Sequence, residues 1–202
     1  MIQSNSKLYR MLQSLNRDEW SRLEDHVHSP AHNKSANPIR LFELLRPWFP
    51  VEASESEEQM QKRSAALDRK ALFEQIFPGQ EYKEGKFSNL TSTCTRIVER
   101  FWVQEALESD PLLQGRLLAA QLRNREGLQE DFARSWRDIA SEAQPRTVSD
   151  QYHLLELQEE MLSFQIEQHE RSEALILPQM LEQLQRFVLS LSLKYQLAAI
   201  SR

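Results

Sequence analysis

The sequence predicts an all-α protein, with antiparallel helical hairpins stacked as an α-α superhelix of the tetratricopeptide-like kind. Its 202 residues include only four glycines and are rich in Leu, Glu, Gln, Arg and Ala, which are strong helix formers. Apolar residues recur at spacings of three and four, and no stretch alternates with period two over the length of a strand. At 40% apolar residues, the chain can also form a substantial core.

The first part of the chain predicts three helices separated by clear stop signals. A helix over residues 6–15 is followed by Asn16 and Glu19, whose spacing is that of a capping box for a second helix. This helix ends near Ser29-Pro30, because proline disfavours helical backbone in the residue before it. Asn37 as cap and Pro38 then start a third helix, which ends at Pro47. The expected core positions of the second helix are Trp20, Leu23 and Val27.

The middle of the chain predicts two longer helices. A cap at Ser54 or Ser56 starts a helix that continues to Phe77, where Pro78-Gly79 makes a turn. The next helix covers roughly residues 84–108 and has a broad apolar face. Its members are Phe87, Leu90, Cys94, Ile97 and Phe101, with Val98 and Trp102 on the neighbouring row.

The last part of the chain predicts four further helices. Asp110-Pro111 starts a helix to about Arg123 with Leu113, Leu117, Ala120 and Leu122 as its apolar residues. Helices over about 128–143, 149–169 and from Pro178 onward follow. The final helix repeats apolar residues at alternating spacings of four and three, and we expect that row to be buried between neighbouring helices. The row comprises Leu177, Leu181, Leu184, Val188, Leu191, Tyr195 and Ala198.

The pattern divides the chain into an N-terminal helical domain at 1–109 and a helical-repeat region at 110–202, continuous with the first. Helix pairs recur there at about 38 residues, the length of a two-helix solenoid unit. Ala133, Ala140 and Pro145 match late positions of the tetratricopeptide pattern, whereas the early positions do not match. Since the last periodic helix lacks a polar capping helix after it, we expect an N-terminal fragment or a chain that has lost later repeats.

Several segments resemble an uncharacterised family of larger helical proteins from bacteroidete bacteria. They are residues 15–20 (LNRDEW), 28–33 (HSPAHN), 41–45 (LFELL), 72–82 (LFEQIFPGQEY) and the Leu177-Pro178 helix start. His32 stands where that family usually has an aromatic residue. The resemblance implies a string of helical hairpins without an established activity, and relatives that continue beyond the end of this chain. It carries over no functional residue.

The sequence contains no recognisable catalytic, cofactor-binding or metal-binding pattern. His26, His28 and His32 lack the spacing of zinc ligands, and Glu156, Glu159, Glu160 and His169 lack the Glu-x-x-His pattern of di-iron bundles. Cys94 lies on an apolar helix face without an adjacent base, so we interpret it as a core residue. Phosphate-cradling glycine loops and nucleophile elbows are also missing from the sequence. We therefore expect no enzyme activity and no cofactor.

Charge and hydropathy restrict the partners. Basic and acidic residues number 15 and 17 through Asp110 and 10 and 13 afterwards, so neither half has the net charge of a polyanion binder. A nucleic-acid partner would bind the basic residues of the N-terminal half, although acidic residues lie between them. These basic residues are Lys62, Arg63, Arg69, Lys70, Lys83, Lys86, Arg96 and Arg100. No segment is long and apolar enough to span a membrane, and a single cysteine together with a polar N-terminus predicts a cytoplasmic protein.

Architecture then favours a non-catalytic scaffold that holds a protein or peptide partner on a groove or concave surface. The sequence does not identify the partner-binding residues, although Trp48, between Pro47 and Pro50, is one candidate anchor and docking on the preceding helix is its alternative. Two other functions stay open. One is a DNA-associated regulator that uses its N-terminal helices, and the other is a structural or self-associating helical bundle.

Overall fold

A computed structural model describes residues 6–49, 62, 67–167 and 176–201, and within them every regular element is a helix. The chain divides into two compact units, unit 1 at Met1–Glu105 and unit 2 at Ala106–Arg202. The described helices are α1 Lys7–Gln13, α2 Arg17–His28, α3 Ala36–Leu45, a 3₁₀ turn Arg46–Trp48, α4 Arg69–Ile76, α5 Glu84–Glu108, α6 Pro111–Arg123, α7 Gln129–Glu142, α8 Val148–Glu167 and α9 Ile176–Ile200. The all-α class is confirmed.

Helices α1 and α2 form a hairpin whose joint is capped as predicted. The side chain of Asn16 accepts a hydrogen bond from the Glu19 amide at 2.9 Å, and the Glu19 carboxylate accepts one from the Asn16 amide at 2.8 Å. This reciprocal pair satisfies two amides that the helix itself leaves unbonded. Trp20 is buried beneath the joint, where its indole N–H donates to the Leu12 carbonyl at 3.3 Å.

The turn after α2 is held by Asn33, which sequence reasoning did not single out. Its amide donates to the carbonyls of Val27 and Ser35, both at 3.1 Å, and its side-chain oxygen accepts from the Ser35 amide at 3.0 Å. Ser35 is the N-cap of α3, so the prediction that Asn37 caps this helix is wrong. Pro38 is nevertheless tolerated inside the first turn, because amides there have no partner within the helix.

Helix α4 begins at a cap that the sequence pattern concealed. Asp68 has extended backbone, and its carboxylate accepts from the amides of Lys70 and Ala71 at 3.1 and 3.3 Å. The prediction of a helix running unbroken to Phe77 is therefore wrong at Asp68, and the predicted caps at Ser54 and Ser56 lie outside the described residues. The predicted stop is correct, since α4 ends at Ile76 and Gly79 takes the left-handed backbone of a turn at φ 74°.

The core of unit 1 is built on α5, whose bounds match the predicted helix. Its predicted face is buried, with Phe87 and Cys94 fully enclosed, and Val98 is buried beside it. Trp102, predicted to widen that face, is 36% exposed. Ion pairs tie the exposed side of α5 to the N-terminal hairpin, between Lys7 and Glu99 and between Arg22 and Glu105. These pairs join the N-terminal hairpin to the C-terminal half of α5.

Unit 2 is a stack of helical hairpins. Short links join α6 to α7 and α7 to α8, and α6 packs against both of these helices. Arg116 pairs with Glu156 at 3.3 Å, and Arg123 pairs with Glu160 and, at 2.6 Å, with Glu167. Residue numbers rise together in these pairs, so α6 and α8 run parallel with α7 antiparallel to both. Helix α9 packs against α8 as the fourth helix.

Aromatic side chains join α7 to α8. Phe132 is fully buried and its ring centroid lies 4.8 Å from that of Phe164. The indole N–H of Trp136 donates to the Leu157 carbonyl at 2.8 Å. Because an indole donor buried without an acceptor would cost free energy, this bond fixes the position of α7 on α8.

Helix α6 presents small residues to α7. Ala119 is fully buried, and a Cβ at Gly115 would lie 3.0 Å from the side chain of Ile139. Leu117, one of the apolar residues of the predicted helix, is 40% exposed, whereas Ala119 lies on the face of α6 that is buried. The small side chains at this contact let the backbones of α6 and α7 come close together.

Other features of unit 2 agree with the predicted starts and stops. The Asp110 side chain caps α6 by accepting from the Leu113 amide at 2.9 Å, and Gly127 has a φ of 82° in the predicted link. Helix α8 begins at Val148, one residue before the predicted start. The helix predicted to start at Pro178 begins at Ile176. The domain boundary between residues 109 and 110 and the tetratricopeptide register both remain predictions.

Replacing Asn16 with Ala should lower the free energy of unfolding of unit 1 by about 1 kcal/mol, because α2 loses its N-cap acceptor. Urea denaturation followed by circular dichroism measures the change. Ser35→Ala is the matched control, since Ser35 is also an N-cap but its side chain makes no cap hydrogen bond. Equal losses in the two variants would contradict the role given to the capping box.

Replacing Gly115 with Leu should destabilise unit 2 by about 1–3 kcal/mol, because the new side chain would collide with Ile139. Gly85→Leu is the matched control, since a Cβ at Gly85 meets nothing within 4 Å and leucine favours a helix more than glycine does. Thermal unfolding followed by circular dichroism compares the variants. A Gly115→Leu protein as stable as the control would show that α6 and α7 are not in close contact.

Candidate protein-interaction surface

Helix α9 carries two neighbouring rows of mostly apolar residues, of which α8 covers one, and further exposed apolar residues at Leu189, Leu193, Leu197 and Ile200. Ile176 and Gln183 are each only 7% exposed, and Met180 packs against the core of unit 2. Phe187 continues this row, with its ring centroid 5.7 Å from that of Tyr152 on α8. These four residues follow the spacing 4-3-4, so they share one side of the helix.

The second row, displaced by one residue, faces solvent and is here named the α9 stripe. It consists of Leu177, Leu181, Leu184, Val188, Leu191, Tyr195 and Ala198. Exposure ranges from 42% at Leu184 to 65% at Tyr195 among its large side chains, except at half-buried Leu191. The prediction that this row is buried between helices is therefore wrong. A neighbouring helix covers about one row of side chains, and α8 covers the row through Ile176 and Phe187.

The sequence contains a signal for this exposed surface, which is a second apolar row beside the heptad row. Ile176, Met180 and Phe187 are as apolar as the stripe and lie about 100° from it around the helix axis. Two apolar rows on one helix need two neighbours. The pattern therefore predicts a second contact for α9, and spacing alone does not say which row meets which neighbour.

The α9 stripe is electrically neutral. The helix contains one acidic and two basic residues, Glu182, Arg186 and Lys194. Glu182 and Arg186 pair with each other at 2.5 Å on the side opposite the stripe, and Lys194 stands seven residues after Phe187, on the α8-facing side. A partner can therefore cover the stripe without removing a charge from water.

Covering the stripe would release a considerable amount of free energy. Full burial of a large aliphatic side chain contributes about 1.5–3 kcal/mol. The five large exposed members of the stripe are about half exposed, so each would contribute about 1 kcal/mol, or about 5 kcal/mol together. The largest apolar patch on the surface of a monomer is often a binding site.

Unit 2 also has an open groove of about 780 Å³ between the start of α6, the end of α7 and the start of α8. Its carboxylates already serve as helix caps. Asp110 bonds the Leu113 amide, and Asp150 accepts from the amides of Arg146 and Thr147, both at 2.8 Å. Burial acts to raise the pKa of Asp150, but these amide hydrogen bonds outweigh it and lower the pKa. Helix capping thus accounts for both carboxylates of the groove.

The clustered histidines of unit 1 form a ring stack. The rings of His26 and His32 lie parallel with centroids 4.0 Å apart, and His26 also contacts Phe101. His28 points elsewhere, bonding the Glu24 carbonyl at 2.8 Å and facing Glu43 at 3.5 Å. The Glu24 carbonyl and then Glu43 raise the pKa of His28. Among the described residues, no three metal-ligating side chains converge.

Several of the remaining residues discussed from sequence have structural partners, and Arg63 lies outside the described residues. Glu156 and Glu160 pair with arginines of α6, Glu159 is exposed, and His169 lies outside the described residues. Trp48 is half-buried against the core of unit 1, in the 3₁₀ turn rather than a non-helical link. Among the basic residues, Arg69 pairs with Glu84 at 2.8 Å, and Lys86 lies 3.9 Å above the Phe77 ring.

None of the described helices has both the length and the apolarity needed to cross a bilayer. No protein-family model, curated protein or solved structure matches the chain. Function therefore has to be inferred from the surface of the chain itself.

The thiol of Cys94 should be unreactive in the folded chain, because it is fully buried and burial raises its pKa to about 12. A thiol-reactive dye should label one site per chain in denaturant and almost none in buffer. Leu193→Cys, on the exposed side of α9, is the control and should add one rapidly labelled site. Rapid labelling of the native chain would disprove the assignment of Cys94 to the core.

Proposed function

We propose that this chain is a non-catalytic helical-repeat module that holds a protein partner on the α9 stripe. One observation carries the proposal, the row of large apolar side chains left open on a helix whose other apolar row already meets α8. Such a row would normally be covered in a folded assembly. We further propose a cytoplasmic location, with which a lone buried thiol is compatible.

The shape of the stripe favours a protein helix over a small molecule. Small ligands bind in concave pockets that enclose most of their surface. The stripe is the outer face of a helix of 25 residues, about 37 Å long, and leaves a ligand open to water. An amphipathic helix with apolar anchors at spacings of three and four would match it along its length.

The DNA-associated alternative has less support. It requires a basic face, yet basic residues of unit 1 pair with carboxylates, as in Arg22 with Glu105 and Arg69 with Glu84. Such pairs reduce the positive field that draws a phosphate backbone. The self-associating alternative concerns the same stripe and differs only in the identity of the partner.

A photoreactive residue placed at position 184 should crosslink to a protein partner in cells, whereas the same residue at position 193 should not. Leu184 lies in the stripe, and Leu193 is equally apolar and 58% exposed but lies outside it. Mass spectrometry of the adducts identifies the partner. Substituting Glu at Leu184 should lower partner affinity at least tenfold, about 1.4 kcal/mol.

Leu193→Glu is the matched control for that affinity measurement and should bind as the wild type does. Circular dichroism checks that both variants stay helical. Adducts of equal yield at both positions would indicate nonspecific association of the apolar surface. Their absence at position 184 would contradict the proposed function.

A further inference from the structure

We propose that Ser149 is a nucleophilic serine that accepts the acyl group of a carboxylic ester, with His153 as its base. The inference goes beyond the proposed function and concerns the groove between α6, α7 and α8 rather than the α9 stripe. Side-chain geometry, charge and the shape of the groove support it in turn.

Three side chains at the start of α8 stand in the order that activates a serine. Ser149, His153 and Glu156 follow one another at spacings of four and three, on one side of the helix. The Oγ of Ser149 lies 3.3 Å from Nε2 of His153, and Nδ1 of that ring lies 3.2 Å from Oε2 of Glu156. Since a carboxylate only accepts hydrogen bonds, Nδ1 carries the hydrogen and Nε2 of the neutral ring accepts from the serine hydroxyl. The set therefore joins a nucleophile, a base and an orienting carboxylate.

The surroundings of His153 stabilise the charge that proton transfer would create. The side chain of His153 is only 14% exposed, and Oδ2 of Asp110 lies 3.9 Å from its Nε2. Arg116 of α6 pairs with Glu156 at 3.3 Å and fixes that carboxylate. When the ring takes the serine proton, the imidazolium is flanked by two carboxylates, which lowers its energy. A serine and a histidine at this spacing on an open helix face would lack both of them.

The groove gives the acyl group a place beside the serine. Ser149 lines the open groove of about 780 Å³, a volume within the range of about 300–1,000 Å³ that small-molecule sites have. Leu112, Ile139 and Ala143 supply an apolar wall, which favours an ester with an apolar acyl chain. Ser149 is the second residue of α8, and amides of a first helical turn lack partners within the helix. Such amides can donate to the carbonyl oxygen as it becomes negative.

The reaction is an acyl transfer without a redox change. The Oγ of Ser149 forms a bond to the carbonyl carbon, and its proton moves to Nε2 of His153. The bond between that carbon and the alcohol oxygen then breaks, and the leaving alcohol takes the proton from the ring. The products are an ester at Ser149 and a free alcohol.

Incubating the full chain with 4-nitrophenyl butanoate tests the proposal, with mass mapping of peptides to locate the butanoyl group. Ser141 is the matched control within the same chain, since it is an exposed serine of α7 whose hydroxyl donates to the Asp138 carbonyl at 2.8 Å. Ser149 should be acylated at least about 100-fold faster than Ser141, because a positioned base contributes that much or more. In urea the preference should vanish with the fold. Equal acylation of the two serines, or none at Ser149, would overturn the proposal.

Variants assign the two reacting roles. Ser149→Ala should abolish acylation of its peptide, and Ser141→Ala should leave acylation of Ser149 unchanged. His153→Asn should slow acylation of Ser149 about 100-fold or more. Circular dichroism checks that each variant stays helical. Acylation of His153→Asn at the wild-type rate would overturn the role of His153 as the base.

Glu156 acts through His153, so it is a positioning residue. Glu156→Gln keeps the size of the side chain but removes a negative charge beside the ring and leaves Arg116 without that partner, and both changes disfavour the imidazolium. Acylation should therefore reach its full rate at a lower pH than in the wild type, which a loss of stability alone would not produce. A profile of rate against pH that does not move would overturn the role of Glu156.

This proposal and the proposed function fail separately. Ser149 lies in the groove and Leu184 in the α9 stripe, so a crosslink at position 184 does not depend on the serine. Continued release of 4-nitrophenol that Ser149→Ala abolishes would support the nucleophile and show that water removes the acyl group. That result would contradict only the non-catalytic part of the proposed function.

Discussion

The constraint that governs this structure is that a helix covers about one apolar row of its neighbour. In unit 2, α6 meets two helices, and its small residues Ala119 and Gly115 lie where the neighbouring helices come closest, while Leu112 and Leu122 pack beside them. Helix α8 meets α6, α7 and α9, and its apolar residues Leu157 and Phe164 are buried. Among the helices that the structure describes, α9 packs chiefly on α8 and has apolar residues beyond the row that α8 covers, in the stripe and also at Leu189, Leu193, Leu197 and Ile200.

Sequence reasoning succeeded where the chemistry is local. The capping box at Asn16, the Asp110 cap with Pro111 and the turn at Gly79 each depend on a few neighbouring residues, and all three were predicted. It failed where two local solutions compete. Asp68 can lie within a helix or cap one, and Asn37 lost its predicted role because Asn33 secures the preceding turn through Val27 and Ser35.

The candidate site shows the same limit at the tertiary level. The spacing of the stripe from Leu177 to Ala198 was read correctly, but periodicity describes a helix and not its neighbours. The row through Ile176 and Phe187 contacts α8, an outcome decided by how the two helices dock. Charge placement supports the functional interpretation, because ion pairs connect α6 to α8 while the stripe has none.

The bond between Trp136 and Leu157 has an optical consequence. The chain has four tryptophans, at positions 20, 48, 102 and 136, and only the last belongs to unit 2. The emission of that single indole therefore reports the docking of α7 on α8 without a second emitter in the unit. Replacing the three tryptophans of unit 1 with phenylalanine would leave Trp136 as the one tryptophan of the sequence, so that the emission would report unit 2 alone.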